Sequence, residues 1–261
     1  MFFCSLYSGS SGNSILVSTD KSKVLIDAGL PGKSIENALS SIGQAPNEID
    51  AIFVTHEHTD HTKGVGVLSR KYDIPIYTDA LTWEAMSKSI GKIKEKNIKI
   101  IENNHVNIKD MDILSHRISH DAASPHGYSI CSNNKKFSIA TDLGYFSKEV
   151  EEALKGADAI LLESNHDVEM LKFGPYPYVL KRRILSNEGH LSNEDCGKAI
   201  LNIMDGSFKK IMLGHLSKTN NYPELAYETV KNILIENNLK LNKDIDLLMA
   251  DRSAPTKCIE F

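Results

Sequence analysis

Short apolar runs rich in β-branched and aromatic side chains recur along the chain, separated by stretches whose apolar positions follow a helical period. The pattern predicts strands over Phe2–Tyr7 and Ile15–Ser18, a third through Lys23-Val24-Leu25-Ile26 into Asp27, and others over Ala51–Val54 and Ile74–Tyr77. Helices are predicted over Ser34–Ile42, after Gly64 through Tyr72, and over Thr82–Ser89. Between Ile98 and His120 the pattern predicts paired strands turning at Asn103-Asn104. Further strands follow at Phe137–Gly144, Asp158–Glu163, Lys210–His215, Asp246–Met249 and Lys257–Ile259. Helices over Glu169–Phe173, Tyr176–Leu185, Ser192–Met204 and Pro223–Glu236 complete the set. Several of the strands run into a side chain that can bind metal or move a proton: Asp27, His56, Asp142, Glu163 and His215.

The densest such run is Ala-Ile-Phe-Val-Thr-His-Glu-His-Thr-Asp-His over residues 51–61. If the chain stays extended beyond Val54, alternate side chains share a side. His56, His58 and Asp60 then converge on one spot, and His61 turns towards a second spot nearby. Imidazoles and a carboxylate suit zinc, manganese or iron(II), and no thiolate is present to favour a purely structural zinc site. A second run, Ser8-Gly9-Ser10-Ser11-Gly12-Asn13-Ser14, reads either as a tight hairpin or as a loop whose backbone N–H groups meet an anion and whose hydroxyls and Asn13 bind phosphate oxygens or orient metal ligands.

Composition narrows the class without naming a substrate. The chain has 261 residues, 41% of them hydrophobic and 25% charged, enough for a substantial core within one domain spanning 1–261, with no linker or repeat. The formal net charge of −4 excludes a global field that would gather polyanions, so any nucleic-acid contact has to be local. No run approaches membrane-spanning length, and Met1–Leu6 lacks the basic and apolar regions of a secretion signal. Cys4, Cys131, Cys196 and Cys258 are scattered, which predicts reduced thiols and a cytoplasmic protein.

His-x-His-x-Asp-His after an apolar strand resembles the signature of the metallo-β-lactamase superfamily, and the flanking motifs resemble its bacterial YycJ/WalJ branch over nearly the whole chain. The resemblance implies a four-layer αβ/βα sandwich, with two mixed sheets back to back and helices outside. It implies two divalent metal ions per chain, zinc or manganese. By the superfamily's order His56, His58 and His120 hold one ion, Asp60, His61 and His215 hold the other, and Asp142 bridges them. Asp60 thereby counts among the catalytic residues, and Asp27 sits beneath the metal loop. Gly189-His190-Leu191-Ser192 resembles the motif by which tRNA-processing members position a general acid, which implies that Glu163 partners His190. A carboxylate neighbour favours the protonated imidazole. Ser10, Ser11, Asn13, Asn165 and Ser192 are the expected substrate contacts, although Ser192 also reads as a helix cap.

The branch implies a 5′-to-3′ DNA exonuclease, with DNA favoured over RNA. The alternative is a small-molecule hydrolase of the same fold, such as a lactonase, thioesterase, β-lactamase or cyclic phosphodiesterase. The interval from Asp142 to His215 is too short for the large inserted domain of ribonuclease J. Within it, Lys181-Arg182-Arg183 reads as a solvated helix face or as a rail for phosphates. The lysines at 88, 92, 94, 96 and 99 read first as a solvated turn and second as a phosphate-facing patch.

Overall fold

Strand parity builds the layers. In the computed structural model, which describes residues 1–261, the chain opens with β1 (Phe2–Tyr7), β2 (Ser14–Ser18), β3 (Lys23–Ile26), α1 (Gly32–Ser41) and β4 (Ala51–Phe53). It continues through α2 (Thr59–Thr62), α3 (Val65–Tyr72), β5 (Ile76–Thr78), α4 (Ala80–Ser87) and β6 (Ile98–Ile100). The second half begins with β7 (His105–Ile108), β8 (Met111–Arg117), β9 (His126–Ser132), β10 (Lys135–Ala140), α5 (Lys148–Leu154) and β11 (Ala159–Glu163). Then come α6 (Val168–Phe173), α7 (Tyr178–Ile184), α8 (Asn193–Ile203), β12 (Lys209–Gly214), α9 (Pro223–Glu236), β13 (Ile245–Met249) and β14 (Ile259–Glu260).

One sheet has the order β14-β1-β2-β3-β4-β5-β6 and the other β13-β12-β11-β10-β9-β8-β7. Each is antiparallel on one side and parallel on the other, with the change at β3 and at β10. Neighbouring residues on a strand face opposite layers. Leu16 and Leu25 therefore pack with Ile35 and Leu39 of α1 and Leu68 of α3, while Val17 and Val24 enter the layer between the sheets. Likewise Ile211 and Leu213 pack beneath α8 and α9 while Met212 faces the opposite sheet. Strands buried on both faces need apolar residues at every position, which is why they read as continuous runs. Three apolar clusters thus separate four layers, helix, sheet, sheet and helix, as expected. Phe3 stacks on Phe137 with ring centroids 4.6 Å apart, and Phe53 meets Tyr128 edge-on at 5.5 Å. Such pairs add about 0.5–1.5 kcal/mol each beyond burial and lock the two sheets together.

Two elements escape the apolar pattern. β9 buries Ser129 and Ser132 among its apolar residues, and the Ser129 hydroxyl is satisfied by Ser138 at 2.8 Å. α5 is marked only by its Ser147 cap, whose hydroxyl accepts from the Val150 N–H, and by Val150 and Leu154 one turn apart. The expected meander from Ile98 to His120 is also corrected. β6 closes the first sheet, and Asn103-Asn104, both left-handed at φ 54° and 55°, carries the chain across to the second. The hairpin turn lies later, between β7 and β8, at Lys109 with φ 54°. Lys94 and Lys96 both pair with Asp73, as befits a solvated turn. All four cysteines are unpaired, and no helix is long and apolar enough to cross a membrane.

The parallel strands β3, β4, β10, β11 and β12 end at one edge of the sandwich. Strand carboxyl ends leave backbone free to turn and side chains free to converge, the general place for a site in open sheets.

Candidate metal centre

The chain does not stay extended through the histidine motif. His58 stands at the N-cap of α2, without using its side chain as a cap, and Thr59–Thr62 is helical. A helical residue advances about 100° rather than 180°, so Asp60 leaves the side shared by His56 and His58. The donor atoms of His56, His58 and His120 lie within 4.8 Å of one another, and so do those of Asp60, His61 and His215. The alternation that put Asp60 beside His56 and His58 is therefore corrected. The two groups implied by the family resemblance are among four such clusters, the others being His56, His61 and Asp142, and Asp142, Glu163, His190 and His215.

Hydrogen bonds to one ring nitrogen turn the other towards the cleft. His61 Nδ1 donates to Asp27 Oδ2 at 2.7 Å, and His120 Nδ1 donates to the Gly189 carbonyl at 3.2 Å. Thr55 is the shared brace: its hydroxyl donates to Asp27 Oδ2 at 2.8 Å and lies 3.0 Å from His56 Nδ1. Asp27 also accepts the Thr55 N–H at 2.9 Å, so it holds both a histidine and the loop backbone. On the far side His215 Nδ1 donates to Glu163 Oε1 at 2.7 Å, and the Ser8 hydroxyl accepts the His215 N–H at 2.9 Å.

Asp142 occupies the middle. Its Oδ2 lies 3.2 Å from His61 Nε2, and its Oδ1 lies 3.5 Å from His215 Nδ1 and 3.9 Å from His120 Nε2. Asp27, Asp142 and His215 all take left-handed backbone, with φ of 60°, 59° and 54°. Each sits just past a strand end, where this sharp turn drives the side chain into the centre. That conformation costs energy for a residue bearing a Cβ and is held by its surroundings.

A carboxylate cluster this deep requires positive charge. Burial works against ionisation of Asp142, yet His215 and His61 outweigh it and hold the carboxyl well below its ordinary value. Burial also depresses His61 and His215, but Asp142 and Asp27 push His61 well above the usual histidine range. Asp142, Asp60 and Glu163 raise His215 to about 10. His56 goes the other way, lowered by burial and then by the charge of His61. Protons and divalent cations both answer the demand, and cation binding releases the protons. Asp142 Oδ2 and His215 Nε2 are buried without a hydrogen-bond partner in the protein, which suits donor atoms of a metal site. The residues present therefore fit divalent cations.

Glu163 does more than the sequence suggested. It is fully buried, its Oε2 accepts the Leu143 and Leu191 N–H groups at 3.0 and 3.1 Å, and its Oε1 accepts from both His190 Nδ1 (2.8 Å) and His215 Nδ1 (2.7 Å). Burial raises the Glu163 pKa, but His190 and His215 together bring it down to about 2. One anionic oxygen thus ties the candidate acid to a candidate ligand.

The cleft above these groups measures about 400 Å³ and is lined by Ser10, His58, Thr59, Asp60, His120, Asp142, Arg183, His190 and His215, none hydrophobic. Of the five expected substrate contacts only Ser10 lines it. Asn13 is buried, its Oδ1 accepting the Gly9 N–H at 2.9 Å and its amide 3.1 Å from His61 Nε2. Asn165 is buried and donates to the His215 carbonyl at 2.8 Å. Ser192 caps α8, accepting the Asp195 N–H at 3.1 Å, and Ser11 is exposed outside the lining. These three buried side chains brace the walls instead of facing substrate. Arg183 alone of the basic cluster reaches the cleft, aligned by a two-pronged pair with Asp121 whose Nη2–Oδ1 arm is 2.8 Å. His105 and His126 lie elsewhere, on Asp112 and the Ser124 carbonyl. Sequence reading did not single out Thr55 or Asp121, whereas Ser8 belongs to the loop whose hydroxyls were expected to meet an anion or orient metal ligands, and it takes the second role at His215. Thr55 had a signal, since it adjoins the histidine motif.

Gly29 sets the height of the metal loop. A Cβ there would stand 1.6 Å from the Asp60 carbonyl oxygen and 2.8 Å from the Asn13 N–H nitrogen, both backbone atoms. Gly29→Ala must push away the loop carrying Asp60 and His61, at a cost of about 1–3 kcal/mol or more. The expected result is a lower melting temperature and less bound metal per chain by elemental analysis. Wild-type metal content in that variant would show that the loop tolerates the displacement.

Comparison with known proteins agrees with this geometry. Residues 7–215 match the model of the metallo-β-lactamase superfamily. The chain is 43% identical over 258 residues to the exodeoxyribonuclease YycJ of Bacillus anthracis, covering 98% of each. It is 45% identical over 254 residues to the exodeoxyribonuclease WalJ of Streptococcus pneumoniae, covering 96% of this chain and 94% of that one. Zinc-bound PqqB of Methylobacterium extorquens superposes with a TM-score of 0.71 at 15% identity, covering 98% of this chain and 100% of the other, a likeness of fold. With its strand-end donors in the family's order and close relatives along nearly its whole length, the chain belongs to the metallo-β-lactamase superfamily, on the branch of the YycJ and WalJ proteins.

Proposed function

We propose that the protein is a dinuclear metal-dependent phosphodiesterase that degrades nucleic acid, acting as a DNA exonuclease from the 5′ end. The observation that carries the proposal is the Glu163–His190 pair at 2.8 Å, opening into the same cleft as both donor sets. His56, His58 and His120 hold one ion in this reading, Asp60, His61 and His215 the other, and Asp142 reaches both. Two such cations, zinc or manganese, supply Lewis-acid polarisation of a phosphoryl oxygen and activation of water.

The chain's own residues do the rest. Anionic Glu163 accepts from His190 Nδ1, which leaves Nε2 as the position from which a proton passes to the departing sugar oxygen. The same carboxylate fixes the ring of His215, so acid and ligand keep a constant separation. Asp121 holds the Arg183 fork at the cleft rim, where it can meet a phosphate. Ser10 offers a hydroxyl from the opposite loop.

The lining also favours a phosphodiester over a small acyl substrate. Pockets for small organic ligands are mostly apolar, whereas this cleft has no hydrophobic wall. The curated relatives' description as exodeoxyribonucleases supports DNA as the polymer. End-labelled single- and double-stranded DNA and RNA, digested with manganese or zinc supplied, test the reading directly. The 5′ label is expected to appear early as mononucleotide and DNA to be degraded faster than RNA. Early release of a 3′ label would reverse the polarity, and intact polymer beside a hydrolysed lactone or cyclic nucleotide would replace the substrate class.

A further inference from the structure

Beside the metal cleft lies a surface that neither the donor sets nor the acid uses. α6 and α7 each bury a single side chain, Leu171 and Ile184. Val168, Met170 and Leu180 are half-buried, and three large apolar residues face solvent: Phe173 is 84% exposed, Val179 79% and Tyr178 72%. Large apolar side chains gathered like this on one short segment mark a contact surface. The cations on the same segment indicate what it contacts. Residues 168–185 carry Lys172, Lys181, Arg182 and Arg183 against Glu169 alone, a local positive excess in a chain of net charge −4.

The cations are arranged around the aromatics. Lys181 Nζ donates to the Lys172 carbonyl at 2.7 Å and so joins α7 to α6. The Arg182 guanidinium lies 5.9 Å from the Tyr178 ring centroid. Arg183, next along the helix, lines the metal cleft itself. The patch is therefore continuous with the place where the scissile phosphate would sit.

We infer that Phe173 and Tyr178, with the cations between them, form a stacking platform for an unpaired stretch of nucleic acid leading into the metal cleft. The inference rests on the proposed nuclease activity and adds that the strand is held single. Aromatic rings stack on any base, because every base has a π face, and arginine and lysine follow the phosphates between. An exonuclease that advances along a strand needs this tolerance of sequence. In a duplex the base faces are covered by their neighbours, so the platform selects a single strand or a frayed end. Protein interfaces also favour aromatics and arginine, but Lys172 and Lys181 are of the kind they exclude, which sets this patch apart from an interface core.

Phe173→Ser combined with Tyr178→Ser removes both rings at exposed positions, where little of the fold depends on them. The informative quantity is kcat/KM on a short single-stranded oligonucleotide divided by kcat/KM on a bis-nitrophenyl diester, which is too small to reach the platform. Base stacking lost to substitution predicts a fall of about tenfold or more in that ratio, mainly through KM. The same ratio for a blunt duplex is expected to fall less. An unchanged ratio, in an enzyme whose wild type digests oligonucleotides, overturns the platform and leaves the nuclease reading standing. An equal fall on duplex overturns the single-strand assignment. A wild-type dimer that the substitutions split into monomers, seen by sedimentation, assigns the patch to a second copy and overturns the inference as well. A wild type that hydrolyses the small diester but no nucleic acid removes both readings together.

Discussion

His190→Ala is expected to keep its full metal content and to lose roughly 10²–10⁴-fold in turnover on DNA, the usual worth of general-acid help. The argument rests on what leaves. A sugar alkoxide is a poor leaving group and needs a proton in the transition state, whereas nitrophenolate departs readily as an anion. The same variant should therefore lose little on a bis-nitrophenyl diester. His190 is the right group to remove because Glu163 braces His215 as well, through the same Oε1. Changing Glu163 would disturb acid and ligand together. Removing the His190 ring leaves Glu163 its two backbone N–H donors and His215. Kinetics on both substrates with metal analysis in parallel separate the cases. Equal losses on DNA and on the nitrophenyl diester would mean that His190 positions substrate or supports the metals, and the acid role would be abandoned.

The second large effect is expected at Asp142. Asparagine is the informative replacement, since it keeps the shape and tolerates the left-handed backbone found there at φ 59°. What it removes is a buried anionic charge lying within 4 Å of ring nitrogens of His61, His120, His190 and His215. A carboxylate can span two cations, and an amide oxygen cannot supply the charge that stabilises them. Asp142→Asn is expected to bind fewer metal ions per chain. Its activity should fall by more than the roughly 10–100-fold typical of losing a partner that merely orients a ligand. The loss should extend to the nitrophenyl diester, unlike that of His190→Ala. Two tightly held ions with near-normal turnover would sink the bridging role.

Much of the centre was legible in one dimension because strand ends carry it. A buried run such as Ala51–Phe53 or Lys209–Gly214 announces itself by its apolar content, and the first polar residue beyond it stands at the sandwich edge. Order along the chain then paired each donor with a role by family likeness. The substrate contacts were less legible. Asn13, Asn165 and Ser192 have the chemistry to bind phosphate, but nothing local distinguishes a side chain that faces a cleft from one that satisfies backbone behind its wall.

Most strands, and the first polar residue beyond each, are legible in single segments, because burial on two faces is a property of one segment, whereas the four-layer order and the full set of donors came from the resemblance to the superfamily. Which donors lie together depends on the tertiary structure. The helical turn at Thr59–Thr62 moves Asp60 to His61 and His215, and the left-handed turns at Asp27, Asp142 and His215 aim side chains from different strands at one point. The double duty of Glu163, the Thr55 brace and the contact of Gly29 with the metal loop likewise join residues far apart in the chain. Local pattern records what each segment buries. Convergence depends on backbone turns and packing distances that no segment specifies alone.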